Sequence, residues 1–331
     1  MIELDLKDRK ILYELDLNCR QSDTQIGKKV GLSRQVVEYR IKSMEEKGII
    51  KNYFTVINSY KLGFDAYRYY IKLQNTTKKL KDEIGEYISR NKSIWSCGSG
   101  KSIYDLFFVV WVNDIQKFND FLDDINIKYG DYFAEKIFSI YVKAHCYPKS
   151  YILGNEFKKK NRDIFQITAN DIQVNIDNID YKILDELAIN ARIPTVELAK
   201  HVELSSQNIV YRINKLIERN VIQAFRINID FSKIGYNHFK VDIFLNKSSK
   251  RNKLWNQLKE IPNVTFINTS AGYADIEIEI ELKSSDDILE LMDSIMLKDE
   301  GLIKNYIYWG AEKFYKIRCL PEMKGEDFKK T

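Results

Sequence analysis

Two short windows carry side chains that could read a base pair. In the first, Ser33-Arg34-Gln35 opens a stretch whose apolar residues Val37, Ile41 and Met44 are spaced four and three apart. If that stripe faces a core, Arg34, Gln35, Glu38, Tyr39 and Lys42 face outward. Arg and Gln are the side chains that bond two-pronged to guanine and adenine edges, and one helix fits a duplex major groove. Lys28, Lys29, Arg40 and Lys47 are the accompanying candidates for phosphate contacts. A merely solvated helix face carries similar charges. The Ser33 cap, the Gly31 turn and the recurrence of the block further along the chain favour duplex contact.

The second window is the weaker of the two. Its outward set is Ser206, Gln207, Val210, Tyr211 and Asn214, with Ser205 as the cap and Arg212 where the first window has Arg40. Glu203 stands in place of the turn glycine Gly31, and Asn220 in place of Gly48. Asn tolerates the left-handed conformation better than Glu does, so the turn before this helix is the less comfortable one. This copy is expected either to bind DNA more weakly or to serve as scaffold.

Other chemistries find little support in the residues. The histidines are His145, His201 and His238, and no two are close in sequence. The cysteines, Cys19, Cys97, Cys146 and Cys319, show no metal-ligand or redox-pair spacing, so no metal or cofactor is expected. Gly98-Ser99-Gly100-Lys101-Ser102 resembles the end of a phosphate-binding loop, but Trp95 occupies the position of the further glycine such a loop needs. A strand-to-strand connection is the better reading. The alternation Asp275-Ile276-Glu277-Ile278-Glu279-Ile280-Glu281 reads as a half-buried strand whose carboxylates face solvent.

The elements that must position the two windows repeat. Shifted by 172 residues, Leu4–Gly63 lies on Ile176–Gly235 without a gap, and about 22 of the 60 positions are identical. Within the first block, Asp5 caps a helix bearing Leu6, Ile11, Leu12 and Leu15, and Ser22 with Gln25 opens a second. Gly31-Leu32 breaks the chain, and the Ser33 helix runs to Gly48. Two short helices and a tight turn before a longer one spell helix-turn-helix. After each block comes the order strand, helix, strand, strand, helix, strand. The strands are Tyr67–Leu73, Ile94–Cys97, Tyr104–Val112 and Lys136–Val142, then His238–Leu245, Val264–Thr269, Ala274–Leu282 and Ile303–Trp309. That order makes an antiparallel sheet with both helices on one face.

The expected fold is therefore α+β: two winged-type helix-turn-helix domains and two ferredoxin-like βαββαβ sensor domains in tandem. The boundaries are helix-turn-helix 1–62, sensor 63–150, linker 151–174, helix-turn-helix 175–234 and sensor 235–325. The linker, which includes Lys158-Lys159-Lys160, reads as a connector or an edge extension of the sheet. The 331 residues carry 44% hydrophobic and 30% charged side chains, an ordinary globular balance, and a net charge of +5. The charge permits nucleic-acid binding without demanding it. The N-terminus lacks a signal-peptide pattern and no apolar run is long enough to span a bilayer, so a cytoplasmic location without membrane contact is expected.

Each half resembles the Lrp/AsnC family of transcription regulators. The resemblance is carried by Leu4-Asp5-x-x-Asp8-x-Lys10-Ile11-Leu12, Leu32-Ser33-x-x-x-Val37-x-x-Arg40-Ile41 and Glu46-x-Gly48-Ile49-Ile50, and by Ile176-Asp177-x-x-Asp180, Leu204-Ser205-x-x-x-Ile209-x-x-Arg212-Ile213 and Glu218-x-Asn220-Val221-Ile222. It implies double-stranded DNA as partner and a homo-oligomer or, because the copies are fused, an intrachain pseudo-dimer. It also implies a small effector, commonly an amino acid, held between units near a Gly-x-x-Asp turn. Gly272-Tyr273-Ala274-Asp275 matches that turn. In the first copy Gly100 stands five residues before Asp105 rather than three, so Asp105 is the less secure effector candidate. Siroheme decarboxylases are similar in layout, but their chemistry calls for clustered histidine and cationic groups that are not evident here. A regulator rather than an enzyme is expected; a tetrapyrrole enzyme, or a sensing or assembly protein that does not bind DNA, is the alternative. The second is favoured by the near-neutral charge of residues 1–50, with 10 basic and 9 acidic side chains.

Overall fold

A computed structural model describes residues 2–156, 165–169 and 171–322; the Lys158–Lys160 run lies outside them. The first block forms α1 (Leu6–Leu17), α2 (Asp23–Val30), α3 (Arg34–Glu46) and β1 (Ile50–Ile57). The helix starts follow from local capping. Asp5 accepts from the Asp8 amide at 2.8 Å, Ser22 and Gln25 form a reciprocal capping box, and Ser33 accepts from the Val36 amide. Gly31 ends α2 at φ +70°. The first sensor unit follows as β2 (Asp65–Leu73), α4 (Lys78–Ser89), β3 (Ile94–Lys101), β4 (Leu106–Val112), α5 (Ile115–Tyr129) and β5 (Phe133–Cys146), and then β6 (Phe165–Thr168). The second copy runs α6 (Asn178–Ile189), α7 (Thr195–Val202), α8 (Ser206–Glu218), β7 (Ile222–Ile229), β8 (Asn237–Leu245), α9 (Arg251–Leu258), β9 (Val264–Ala271), β10 (Ile276–Leu282), α10 (Asp286–Lys298) and β11 (Ile303–Ile317). The expected α+β tandem of helix-turn-helix and ferredoxin-like units is the fold.

The two helix-turn-helix units pair through an antiparallel ladder of β1 with β7, in which Phe54 lies opposite Arg226. Those two residues are 172 apart, the repeat offset, so a pseudo-two-fold axis passes through their pair. The surrounding contacts are reciprocal. The Cys19 amide donates to Phe225 O and the Ala191 amide to Tyr53 O; the Asn58 amide donates to Val221 O and the Asp230 amide to Ile49 O. Arg20 lies over Phe225 while its equivalent Arg192 lies over Tyr53. One apolar core, including Ile11, Leu15, Ile26 and Val37 of the first copy and Ile183, Leu187, Leu198 and Ile209 of the second, runs through both units.

The sensor sheets also combine. Neighbours run β2–β4–β3–β11–β8–β10–β9–β5, and β5 returns to β2, closing a barrel; β6 pairs on the end of β5. Closure works because β5 and β11 are longer than the sequence pattern suggested. Residues 133–140 of β5 pair with β2 and residues 140–146 with β9 of the other half. Residues 303–310 of β11 pair with β8 and residues 310–317 with β3. Each outer sheet face packs under its own two helices, as Ile71, Phe108 and Val110 do with Ile84, Ile88 and Phe118. The alternate residues therefore point into the barrel.

Described parts of the connecting segment pack against the fold. Tyr151 and Ile152 are buried in the helix-turn-helix core, and Phe165–Thr168 is a strand at the sheet edge. At the far end of the chain Leu320 is buried in the same core, and Tyr181 Oη donates to Pro321 O at 2.5 Å. Each sensor unit is thus followed by a segment that returns to the helix-turn-helix layer.

Candidate nucleic-acid interface

The recognition surface is built from α3 and α8. Val37, Ile41 and Met44 are buried, as are Ile209, Ile213 and Leu216. Their burial leaves Arg34, Gln35, Glu38, Tyr39 and Lys42 exposed on α3, and Gln207, Val210, Tyr211 and Asn214 exposed on α8, with Ser206 half-buried. Tyr39 is 73% and Tyr211 62% exposed. Aromatic rings this open gain little from burial. The turn before α8 keeps its shape despite Glu203, which adopts φ +60°, ψ 44°; Asn220 takes φ 56° where Gly48 takes 67°.

Arg40 and Arg212 belong to a different structure from the one the residue types suggested. Arg40 Nη1 donates to Asp5 and Asp8, each at 2.7 Å, and Arg212 makes the same bridge to Asp177 and Asp180 at 2.8 and 2.6 Å. These guanidiniums tie each recognition helix to the start of its first helix through Nη1. Lys29 is likewise held, by Glu14 and Gln21 at 2.6 Å. Lys28 and Lys47 remain exposed. Ser33 and Ser205 act as caps, although both sit on the exposed rim.

The two candidate effector turns come together at the seam of the two sensor units. Gly272 has φ +92°, and Ser102 has φ +90°. Ser102, not Gly100, therefore holds the glycine place of the first copy, three residues before Asp105. The pairing of the two aspartates follows from identical duties. Asp105 accepts from the Leu73 amide at 2.8 Å and its own amide donates to Ile71 O. Asp275 accepts from the Leu245 amide at 2.9 Å and its amide donates to Ile243 O. Asp275 is further held by Ser248 and Arg251, and Asp105 lies 3.3 Å from Lys72. Across the seam the hydroxyls of Tyr104 and Tyr273 are 2.6 Å apart, and Tyr70 stacks on Tyr104 with ring centroids 4.6 Å apart.

Behind these tyrosines lies a charge cluster that the sequence reading assigned to solvent. Glu277 is completely buried; it pairs with Arg68 of the first unit, with Lys240 Nζ at 2.5 Å and with Ser270 Oγ at 2.6 Å. Arg68 and Lys240 are equivalent residues of the two copies, so one carboxylate bridges both members of a pseudo-symmetric cation pair, and Asp242 lies 3.8 Å from Lys240 as the second anion. Burial alone would raise the Glu277 pKa, but the two cations outweigh it and hold it at about 2. Asp242, also buried, is pushed up to about 6 by burial, with Lys240 opposing and Glu277 adding to the rise. The Arg68 guanidinium also lies 4.4 Å from the ring centre of Tyr141. Glu281, with 2% exposure, accepts nothing from solvent either: it faces His238 and Thr265. The strand alternates as expected, but Glu277 and Glu281 on its polar face are buried, and Glu277 meets Arg68 of the other half. The sequence signal available was the pair of cations Arg68 and Lys240 at matching places in the two strands.

A second buried cluster connects the layers. Asp16 of α1 pairs with Arg226 of β7 at 2.5 Å and with Lys149 at 2.8 Å, and Arg226 also donates to the Cys146 sulfur and Tyr147 O. Burial pushes the Cys146 thiol up to about 12. Among the described residues no group of histidine, cysteine and carboxylate side chains is arranged to hold a metal, and no helix is long and apolar enough to cross a membrane.

Comparison with known proteins agrees with this architecture. A winged helix-turn-helix DNA-binding family model matches residues 4–51, and an AsnC-type helix-turn-helix domain model matches residues 176–217. The proline dehydrogenase transcriptional activator of Rhizobium radiobacter is 31% identical over 123 residues, which is 37% of this chain and 79% of that protein. The regulator LrpB of Bacillus subtilis is 32% identical over 133 residues, 40% of this chain and 86% of its own. The regulator Ptr1 of Methanocaldococcus jannaschii is 34% identical over 125 residues, 36% and 79% respectively. Among solved structures, the siroheme decarboxylase NirDL superposes with a TM-score of 0.63 over 98% of this chain and 97% of that one, at 13% identity, a likeness of fold. Two matched helix-turn-helix units, and relatives covered over most of their length by one half of this molecule, place the chain in the Lrp/AsnC family of transcriptional regulators, with two copies of the family unit on one polypeptide.

Proposed function

We propose that the chain binds specific duplex DNA sequences as an internal pseudo-dimer and that a small metabolite, of the amino-acid class, adjusts that binding from the sensor barrel. The observation that carries the DNA reading is the exposure of both recognition-helix faces on two helix-turn-helix units joined about one axis. A groove-bound helix needs free polar side chains at its N-terminal half, and Arg34, Gln35 and Gln207 meet that need. The effector reading is supported by the matching Ser102–Asp105 and Gly272–Asp275 turns and by their contact through Tyr104 and Tyr273. A ligand inserted there would alter how the halves meet. The returning segments at Tyr151–Ile152 and Leu320 provide a route to the DNA-binding layer. The test is a gel-shift titration on genomic fragments with the combined Arg34→Ala and Gln35→Ala variant, in the presence and absence of amino acids. Retention by the parent chain and clear weakening in the variant are expected; a parent chain that retains no fragment at low ionic strength overturns the reading.

A tetrapyrrole enzyme is a second reading, supported by the whole-chain likeness of fold to the siroheme decarboxylase. Titration with an iron tetrapyrrole, followed by absorbance, separates the two. A tight stoichiometric spectral change supports the enzyme.

A further inference from the structure

The two reading helices are related by symmetry but do not carry the same chemistry. The β1–β7 register places Phe54 opposite Arg226, Thr55 opposite Phe225 and Tyr53 opposite Ile227, so the copies are related by a two-fold axis through the ladder. Of the five outward positions named above for α3 and α8, three nevertheless differ: Arg34 against Ser206, Glu38 against Val210 and Lys42 against Asn214. Two outward positions are shared, Gln35 with Gln207 and Tyr39 with Tyr211. Two identical heads about a two-fold axis must read a palindrome. Two non-identical heads fixed on one polypeptide need not, and their covalent fusion keeps them as one pair.

We propose that this chain recognises a non-palindromic duplex whose half-sites share a base read by glutamine and otherwise differ. The inference rests on the DNA-binding reading above. The side chains set the bases. Gln35 and Gln207 pair two-pronged with adenine, one in each half. Arg34 pairs with guanine and Glu38 accepts from a cytosine amino group, in the α3 half only. Val210 offers an apolar contact to a thymine methyl in the α8 half, where no charged side chain occupies the five outward positions. Phosphate attraction follows the same asymmetry. Arg34 and Lys42 bring positive charge to the outward face of α3, whereas on α8 Lys215 is paired with Glu218 and Arg212 with Asp177 and Asp180. The chain therefore has one preferred direction on its site, a property no symmetric dimer has.

The experiment is selection of the full chain on randomised duplexes at low ionic strength, repeated with Ser206→Arg, Val210→Glu and Asn214→Lys combined. These positions lie outside the core, so the variant is expected to fold; circular dichroism checks it. The reciprocal variant, Arg34→Ser with Glu38→Val and Lys42→Asn, gives a second route. The parent chain should enrich an asymmetric consensus, and both variants should enrich palindromes, the first G-containing and the second not. Arg34→Ala alone should lower affinity for the parent site by about tenfold and erase base preference at one position of one half. A palindromic consensus from the parent chain, a single half-site, or a consensus unchanged in both variants overturns the proposal while leaving DNA binding standing. Enrichment of no duplex at all overturns the DNA-binding reading with it.

Discussion

Phe54 and Arg226 occupy the same place in the two copies and lie directly opposite each other in the β1–β7 ladder. The axis of the molecule passes between an aromatic ring and a guanidinium, and the symmetry of the backbone is broken at its centre by side chains. Arg226 is fully buried and answers Asp16, whose counterpart in the second copy is Ala188. Burial would raise the Asp16 carboxyl, but Arg226 and Lys149 together hold it below the usual range.

That arrangement gives a double-mutant test. Arg226→Phe copies the other half but leaves a buried carboxylate with one cation, and should cost about 3–5 kcal/mol in urea denaturation. Adding Asp16→Ala, the other residue of the symmetric half, removes the stranded carboxylate but leaves Lys149 without its partner. Only part of the loss should be recovered, and purely additive losses would show that the pair is not coupled.

The barrel interior predicts a pH dependence. Asp242 has a folded pKa of about 6, above its ordinary value of 3.8. The folded state therefore binds the extra proton between about pH 4 and 6. The stability this contributes is present below pH 4 and lost as pH rises through 6. Asp242→Asn should flatten the thermal-unfolding midpoint across that window and raise it above pH 6. Glu277 acts oppositely: its folded value of about 2 lies below 4.5, so its contribution is present above pH 4.5 and is lost as pH falls toward 2. Glu277→Gln should destabilise at neutral pH, because it leaves Arg68 and Lys240 buried without their shared partner.

Ser102 holds φ +90° where the second copy uses Gly272. A side chain in this region is strained, and glycine is not. Ser102→Gly should stabilise the chain by about 1 kcal/mol, and Gly272→Ala should destabilise it by at least as much. Differential scanning calorimetry decides; a Ser102→Gly variant less stable than the parent would refute the equivalence of the two turns.

Arg40 offers a way to separate scaffold from reader. Its ion pairs with Asp5 and Asp8 are partly solvated, so Arg40→Gln should cost about 1 kcal/mol of stability. DNA affinity of the folded protein should stay within a few-fold of the parent, and base preference should not move. A much larger loss of affinity, uniform across sequences, would restore Arg40 as a phosphate contact.

The sequence by itself determined the local structure and the repeat. Capping by Asp5, Ser22 and Ser33, the left-handed places at Gly31 and Gly48, and the Val37–Ile41–Met44 stripe are short-range matters, governed by hydrogen bonds and burial within a few turns. Hence the outward faces of α3 and α8 were legible, and so was the order of the sensor strands. Only the tertiary structure decided what those strands meet. The alternation at Glu277–Glu281 states that one face is polar, not whether water or another sheet covers it, and the answer came from β5 and β11 crossing between halves. Ser102 was hidden for a related reason: its equivalence to Gly272 lies in strand register and φ, not in residue type. Arg40 and Arg212 carry a charge the sequence displays, but the carboxylates that neutralise it are more than thirty residues away in the chain. Charge pairing over such separations is set by packing, which brings α3 onto the start of α1 and α8 onto the start of α6.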